Sequence, residues 1–231
     1  LFIGALALLM AFTTACSSKT ENTTTTSQDK DTFTYAINSD PSSTNPINVS
    51  DRWGLTMTNM IYSPLIRVEG DGSLVNELAE STELAKDGLS LTVNLKKGIK
   101  WSDGQDFTAD DVVFTYETKA KKENGNFKSL WINDKPITVE KKDDYTVVFK
   151  FPEPSAAAAN NIATETYIIP KHIYGKVSDF SVKDLQEKPV GTGPYKLVEN
   201  KRGEYIKFEA NENYYKGKPN VKNVVLRVIQ S

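Results

Sequence analysis

The sequence predicts an α/β to α+β fold with a mixed β-sheet, because strand-like and helix-like segments follow one another without a strict strand–helix–strand alternation. Residues 89–95 alternate apolar and polar side chains, which is the clearest strand pattern in the chain. Residues 108–120 predict a helix, in which Thr108 is a suitable N-cap and Asp110 and Asp111 lie in the first turn. Both kinds of element are therefore expected in the folded part of the chain.

The remaining elements follow from the same periodicities and from turn signals. Alternating apolar residues predict further strands at residues 32–37, 145–151, 195–198, 205–208 and 224–229. Further helices are expected at residues 54–62, which end before Pro64, and at the alanine-rich residues 155–163. Asp-Pro, Asn-Pro, Lys-Gly and Asp-Gly pairs mark turns between the elements.

Composition excludes some classes of function. The 231 residues carry a net charge of −2, so the chain has no electrostatic field that would attract nucleic acid or an anionic membrane surface. Hydrophobic residues make up 39% of the chain, which is enough for a folded core. Only four of the 28 basic residues are arginine, so bidentate recognition of phosphate is not expected to be the main work of the chain.

The chain begins with an apolar segment. Residues 1–12 are uncharged and almost wholly apolar, and no basic flank precedes them. A membrane-spanning helix needs about 20 such residues, so the segment is typical of the apolar core of an export signal. We therefore expect residues 1–15 to be an incomplete signal peptide whose beginning is missing from the sequence.

Cys16 is the only cysteine, so no disulfide can form within the chain. Its position after small residues at the end of the apolar segment resembles a bacterial lipobox, although Thr13 stands where that motif prefers Leu. The resemblance implies that the Cys16 thiol carries a diacylglycerol and anchors the protein to the membrane. The alternative is an ordinary signal peptide in which Cys16 is incidental. Residues 17–31 are polar throughout, so residues 16–31 are predicted to form a disordered tether.

Several short segments, in a characteristic order, resemble one protein family. The most diagnostic are KWSDG at residues 100–104 and FTADDV at residues 107–112. The others are IYSPLIR at 61–67 with DG at 71–72, LAES at 78–81, IPKHI at 169–173, GTGPY at 191–195 and NENYYKG at 211–217. Together they resemble the family 5 extracellular solute-binding proteins, the oligopeptide and dipeptide receptors of ABC importers. Departures are small, such as Ser63 where the family usually has Asp.

The resemblance implies a periplasmic-binding-protein-like fold. Two lobes, joined by hinge strands, would close over a buried ligand, and an extra domain would lie near the N-terminus. On this chain the resemblance assigns residues 32–62 and 166–231 to the first lobe and residues 63–165 to the extra domain. The second lobe is expected to be absent from this sequence.

The function implied by the resemblance is that of a receptor. The protein would capture oligopeptides outside the cytoplasm and, in its closed form, dock on the permease subunits of an ABC importer. It would be a monomer on the bacterial cell membrane, with no cofactor and no nucleic-acid partner. Two alternatives stay open: the same fold could bind a nickel chelate, haem or an oligosaccharide, or the protein could be a signalling or adhesive surface lipoprotein.

In peptide-binding members of the family, the loop after the first strand lines the cleft. Here that loop covers residues 48–53, and the candidate ligand-binding residues are Ser50, Asp51, Arg52 and Trp53. Trp53 can cover an apolar side chain of the ligand, and Asp51 can pair with an amine. A solvated loop with one buried tryptophan is the alternative.

Thr192 and Gly193 are the second group of candidate ligand-binding residues. The resemblance implies that the backbone here passes near the ligand. The alternative is a tight turn that needs the φ freedom of glycine.

No catalytic or metal site is predicted. The cluster of Asp103, Asp106, Asp110 and Asp111 lacks the spacing of an EF-hand calcium loop and fits turn and helix-cap positions better. His172 is the only histidine, and one His with one lipid-bound Cys cannot complete a zinc site. The sequence contains no G-x-S-x-G nucleophile motif, P-loop or dinucleotide fingerprint. We therefore expect a binding protein and not an enzyme.

Overall fold

The computed structural model describes residues 31–124, 127–155, 157, 162, 166–177 and 187–229. The predicted signal peptide, Cys16 and all but the last residue of the predicted tether lie outside the described residues, as does most of the helix predicted at residues 155–163. Within the described ranges, no helix combines the length and the apolar character that crossing a bilayer requires.

Strands and helices follow one another irregularly along the described residues, which confirms the predicted mixed class. In chain order the elements are β1 (Thr32–Ile37), α1 (Arg52–Ile61), β2 (Ile66–Val68), β3 (Leu74–Asn76), β4 (Ala79–Leu84), β5 (Ser90–Leu95), α2 (Ala109–Lys119), a 3-10 turn (Phe127–Leu130), β6 (Trp131–Ile132), β7 (Lys135–Pro136), β8 (Thr138–Asp143), β9 (Thr146–Lys150), α3 (Lys171–Tyr174), β10 (Tyr195–Lys201), β11 (Tyr205–Ala210) and β12 (Asn223–Val228).

The first sheet has the strand order β1-β12-β11-β10. β1 is parallel to β12 and the other pairs are antiparallel, so this is the mixed sheet that the sequence predicts. Apolar alternation places Phe208 and Leu226 on the buried face, where Met57 and Ile61 of α1 join them in one core. The helix therefore covers this sheet and is held in place by it.

The second sheet, β4-β5-β9-β8, is antiparallel throughout. The alternation at residues 89–95 places Leu91, Val93 and Leu95 on its buried face, and the fully buried Trp101 lies in the same core. Helix α2 packs along β8. Two short hairpins, β2-β3 and β6-β7, complete the described strands.

β4 and β8 are strands that the sequence pattern did not reveal. Both are edge strands of the second sheet, and in β4 only Ala79 is buried. In β8 five of the six residues are exposed. A strand with solvent over most of its surface needs no apolar alternation, so periodicity cannot detect it.

Helix α2 begins at the position that the sequence predicts. The Thr108 hydroxyl accepts a hydrogen bond from Asp110 N at 3.3 Å, and Asp111 Oδ2 accepts one from Thr108 N at 3.0 Å. This reciprocal capping box satisfies backbone donors that a helix start otherwise leaves unpaired. A cap of this kind contributes about 1 kcal/mol, so these local contacts determine where α2 starts.

The buried apolar residues form two cores. One core draws on residues 65–168, around the second sheet and α2, and the other draws on residues 37–62 and 169–228, around the first sheet and α1. The chain therefore leaves the first sheet after α1, builds a second unit, and returns to complete the first.

Candidate ligand-binding site

The loop between β1 and α1, residues 38–51, carries part of the predicted site. Ile47 and Val49 are buried in it, and Asn45 Oδ1 accepts a hydrogen bond from Ile47 N at 3.0 Å. Buried apolar side chains and a local side-chain hydrogen bond give the loop a defined path to the helix. Ser50 is exposed at the end of that path.

Asp51 is the N-cap of α1. Its Oδ1 accepts a hydrogen bond from Gly54 N at 2.9 Å, and its Oδ2 accepts one from Ser42 N at 3.2 Å and another from the Ser42 hydroxyl. Burial raises the pKa of the Asp51 carboxyl, but the hydrogen bonds from Ser42 and Gly54 outweigh it and hold the pKa below its usual value. These contacts account for an aspartate here, and its pairing with a ligand amine stays a prediction.

Arg52 and Trp53 lie in the first turn of α1. The prediction that they belong to a loop is wrong, because the Asp51 cap starts the helix two residues before position 54. The Trp53 indole N–H donates to Asn38 Oδ1 at 2.7 Å, and its ring packs edge-on against Tyr35 with 6.0 Å between centroids. Tyr35 and Phe33 are 44% and 54% exposed, which is high for aromatic rings. We call Phe33, Tyr35 and Trp53 the aromatic shelf.

Asp51→Ala is expected to lower the free energy of unfolding by about 1 to 2 kcal/mol, since it removes the helix cap and the contacts with Ser42. Asp51→Asn keeps a side-chain oxygen that can accept from Gly54 N, so its free energy of unfolding should fall much less. Urea unfolding measures both changes. An alanine variant as stable as the unaltered protein would show that the cap is unimportant. An asparagine variant with full stability but weaker peptide binding would assign the Asp51 charge to the ligand.

Thr192 and Gly193 lie at the other end of α1. Gly193 N donates to Ile61 O at 2.8 Å, and Thr192 is only 1% exposed. Helix α1 has 10 residues and is therefore about 15 Å long. The two groups of predicted site residues thus lie at opposite ends of this helix and do not form one site in the described part of the chain.

The glycines of this segment are required for close packing. A Cβ on Gly191 would lie 1.9 Å from Ile61 O, and one on Gly193 would lie 2.6 Å from both Met60 O and Ile61 C. Neither glycine has a positive φ, so the alternative of a turn that needs glycine's φ freedom is wrong. Packing accounts for both residues, and a ligand contact by Thr192 or Gly193 stays a prediction.

The segments that resemble family motifs meet around this packing contact. Three hydrogen bonds join them: Asn211 Nδ2 to Gly193 O at 2.8 Å, Asn213 Nδ2 to Trp101 O at 3.2 Å, and Ser102 N to Gly191 O at 2.9 Å. Both asparagines belong to the motif at residues 211–217, but no local pattern indicates their partners. The motifs therefore hold the second unit against the first.

Trp101 and His172 belong to the same region and have structural partners. The Trp101 indole N–H donates to Asp111 Oδ2 at 3.3 Å, and Asp111 Oδ1 accepts from Lys171 N at 2.9 Å. Burial raises the pKa of the Asp111 carboxyl. His172 Nε2 lies 2.7 Å from Asp103 Oδ2, and its ring packs edge-on against Trp101. These contacts join the start of α2 to α3.

The other two clustered aspartates also bond within the chain. Asp106 lies 2.7 Å from Lys100 Nζ, and Asp110 lies 2.5 Å from Lys141 Nζ. Among the residues that the structure describes, no group of three or more His, Cys, Asp or Glu side chains is arranged to hold a metal ion. Turn, cap and ion-pair contacts account for all four carboxylates.

Glu77 is a buried charged residue that no pattern in the sequence indicated. Its Oε1 lies 2.8 Å from Arg67 Nε and 2.7 Å from Lys216 Nζ, and its Oε2 accepts from the Tyr215 hydroxyl. Burial alone raises the pKa of the Glu77 carboxyl, but the hydrogen bonds and charges of these partners lower it, so the pKa lies below its usual value. Arg67 is in β2 and Lys216 precedes β12, so the carboxylate links the two units.

Comparison with known proteins identifies related sequences and related structures. The model for bacterial extracellular solute-binding proteins, family 5 middle region, matches residues 73–231. The oligopeptide-binding protein AppA of Bacillus subtilis is 37% identical over 99% of this chain and 44% of its own length.

Three solved structures superpose well on the chain. AppA of Bacillus subtilis in complex with a nonapeptide has a TM-score of 0.79 at 35% identity, covering 86% of this chain and 40% of AppA. The ABC transporter substrate-binding protein CtaP of Listeria monocytogenes has a TM-score of 0.80 at 39% identity, covering 87% of this chain and 41% of CtaP. NikZ of Campylobacter jejuni in complex with Ni(L-His) has a TM-score of 0.75 at 31% identity, covering 87% of this chain and 39% of NikZ.

The superpositions show that the fold, a mixed sheet under α1 with a second unit inserted between its strands, is that of an extracellular substrate-binding protein. The comparisons then define the group more narrowly: the chain belongs to family 5 of the bacterial extracellular solute-binding proteins. It spans less than half the length of AppA.

Proposed function

We propose that the full-length protein is the extracytoplasmic receptor of an ABC importer and captures oligopeptides in a cleft between two lobes. The observation that carries the proposal is the likeness, in sequence and in structure, to AppA, whose structure contains a bound nonapeptide. An extended peptide offers main-chain donors and acceptors along both edges. A protein can pair them by strand-like addition and leave the side chains in roomy, hydrated pockets.

The proposal includes a division into domains. Residues 32–62 and 166–231 form one lobe, and residues 63–165 form an extra domain. The two hydrophobic cores support this division, because the buried residues of one lie between positions 65 and 168 and those of the other lie in the flanking parts of the chain. The full-length protein then supplies the second lobe, which closes over the ligand in a hinge motion.

The aromatic shelf, with Ser50 and Arg52 beside it, is the part of the described chain that we propose to meet the peptide. The exposed rings of Phe33 and Tyr35 on the sheet and the half-buried ring of Trp53 on the helix suit the apolar side chains of a ligand. Arg52 is exposed next to the shelf and carries a permanent charge that can meet a carboxylate. A ligand contact by Thr192 or Gly193 has less support, because both are buried here.

The proposal places the protein on the outer face of the cell membrane, as a monomer without catalytic activity, anchored through lipidated Cys16. The extracellular family and the lipobox-like context of Cys16 support this placement. Metabolic labelling with an alkyne fatty acid tests the anchor. Label should enter the unaltered protein and be absent from Cys16→Ser.

A metal chelate is the second candidate ligand. NikZ, which shares this fold and 31% identity, is described in complex with Ni(L-His). Such a chelate presents carboxylate groups, which Arg52 could meet. Calorimetry can separate the two candidates with the same protein sample.

The decisive experiment is titration of the full-length protein with a pool of random nonapeptides, followed by its tightest member. A dissociation constant near 1 µM, about −8 kcal/mol, is expected. Mass spectrometry should recover the peptide intact, since no hydrolysis is proposed. Heat with Ni(L-His) and none with any peptide would replace the first candidate by the second.

A further inference from the structure

We propose that Asn38 is a positioning residue, which holds the Trp53 indole in the orientation that the aromatic shelf presents to a ligand. The inference deepens the proposed function and rests on it wherever ligand binding is concerned. Its structural part rests on the contacts of Trp53 alone.

The hydrogen bond between the two side chains has one possible direction. The Trp53 indole nitrogen lies 2.7 Å from Asn38 Oδ1. An indole nitrogen only donates, so the amide oxygen of Asn38 has to face it. The bond joins the first turn of α1 to the residue that follows β1, and so connects two elements of the first unit.

Two further contacts restrain the plane of the indole. Tyr35 meets it edge-on at an interplanar angle of 60°, and the Arg52 guanidinium carbon lies 5.2 Å from the ring centroid. Trp53 is half-buried and packs in part against the core of the first sheet, so these contacts fix the orientation that the core leaves open to the ring. A ring that is already fixed loses less entropy when a ligand binds, which raises the affinity.

The role of Asn38 can be separated from folding. Asn38 is exposed, and the start of α1 is fixed independently by Asp51 and Ser42. Replacement of Asn38 by alanine therefore leaves the helix cap intact and buries no unpaired polar group. The fold is expected to survive, and the effect should be confined to the indole.

The structural part is tested by ¹⁹F NMR of the full-length protein labelled with 5-fluorotryptophan. The Trp53 resonance is identified as the one missing from Trp53→Phe. Asn38→Ala should shift or broaden that resonance and leave the resonance of the buried Trp101 unchanged. Asn38→Asp keeps an acceptor oxygen, so the Trp53 resonance of this variant should stay close to its position in the unaltered protein. Asn94→Ala, at an exposed asparagine of β5, is the control and should shift none of the tryptophan resonances.

The ligand part is tested by a double-mutant cycle with the tightest nonapeptide of the pool. Asn38→Ala should weaken binding about threefold to tenfold, the effect of one lost hydrogen bond. The same change in the Trp53→Phe background should have no further effect, because the indole donor is already gone. Equal weakening in both backgrounds, or an unmoved Trp53 resonance, would overturn the proposal. If no peptide binds, the proposed function fails, and the NMR result alone decides whether Asn38 holds the indole.

Discussion

Gly191→Ala is expected to lower the free energy of unfolding by about 3 kcal/mol, at the upper end of what overpacking a buried site costs. The added methyl carbon would lie 1.9 Å from Ile61 O and 2.7 Å from Ile61 C. Both atoms belong to the backbone at the end of α1, so no side-chain rotation can make room. The residue 191–194 segment would have to move away and weaken the hydrogen bond from Gly193 N to Ile61 O.

Gly70→Ala is the matched control for this prediction. Gly70 lies in the turn of the β2-β3 hairpin, has no positive φ, and has nothing within 4 Å of an added Cβ. Its replacement should be neutral or slightly stabilising, since alanine restricts the unfolded chain more than glycine does. Urea unfolding followed by circular dichroism compares the two variants. Equal stability of both variants would mean that the segment adapts without cost.

Glu77→Gln is expected to lower the free energy of unfolding by about 3 kcal/mol at neutral pH. The change removes the anion that Arg67 and Lys216 share and leaves the two cations without their common partner. Loss of one member of a buried ion pair costs about 3 to 5 kcal/mol. The lower end applies here, because the Arg67 and Lys216 side chains are 46% and 34% exposed and water screens them in part.

The same variant predicts a pH dependence with a definite sign. The Glu77 carboxyl has a folded-state pKa below its unfolded value, so the unfolded chain binds more protons between the two values. Its stabilisation is therefore complete above the unfolded pKa of about 4.3 and is lost as the pH falls through the folded-state pKa. The difference in the free energy of unfolding between the unaltered protein and Glu77→Gln should become smaller as the pH of the measurement is lowered from 7 to 3. A difference that stays constant would mean that charge is not the cause.

Glu140→Gln provides the control for the Glu77 predictions. Glu140 also lies close to a lysine, with 2.5 Å between its Oε1 and Lys150 Nζ, but both side chains are about half exposed. An exposed ion pair contributes about 0 to 1 kcal/mol, so this variant should lose little stability. A loss as large as that of Glu77→Gln would show that burial is not what makes Glu77 important.

Local patterns were sufficient where the deciding contacts are local. The Thr108 cap was predictable because its partners Asp110 and Asp111 are two and three residues away. Residues 89–95 were predictable because a strand with one buried face must alternate. The start of α1 was misplaced by two residues because Asp51, whose cap contact with Gly54 N is just as local, was interpreted as a loop residue.

The candidate site was predicted only in part. The sequence pointed to Ser50, Asp51, Arg52 and Trp53 through a family resemblance, and the structure places Arg52 and Trp53 on the first turn of α1. It could not indicate that Asn38 accepts from Trp53, 15 residues away. Nor could it indicate that Phe33 and Tyr35 stay exposed, because an alternating apolar strand predicts one buried face.

By itself the sequence determined the mixed fold class, the alternating strands, the cap of α2 and the motifs of family 5, because each of these depends on residues within a few positions of one another. Only the tertiary structure decided that Gly191 must be glycine, that Glu77 is a buried link between two units, and that the two groups of predicted site residues lie at opposite ends of α1. Steric contact and the electrostatics of burial depend on neighbours in space, such as the Tyr215 hydroxyl that reaches Glu77 from 138 residues away.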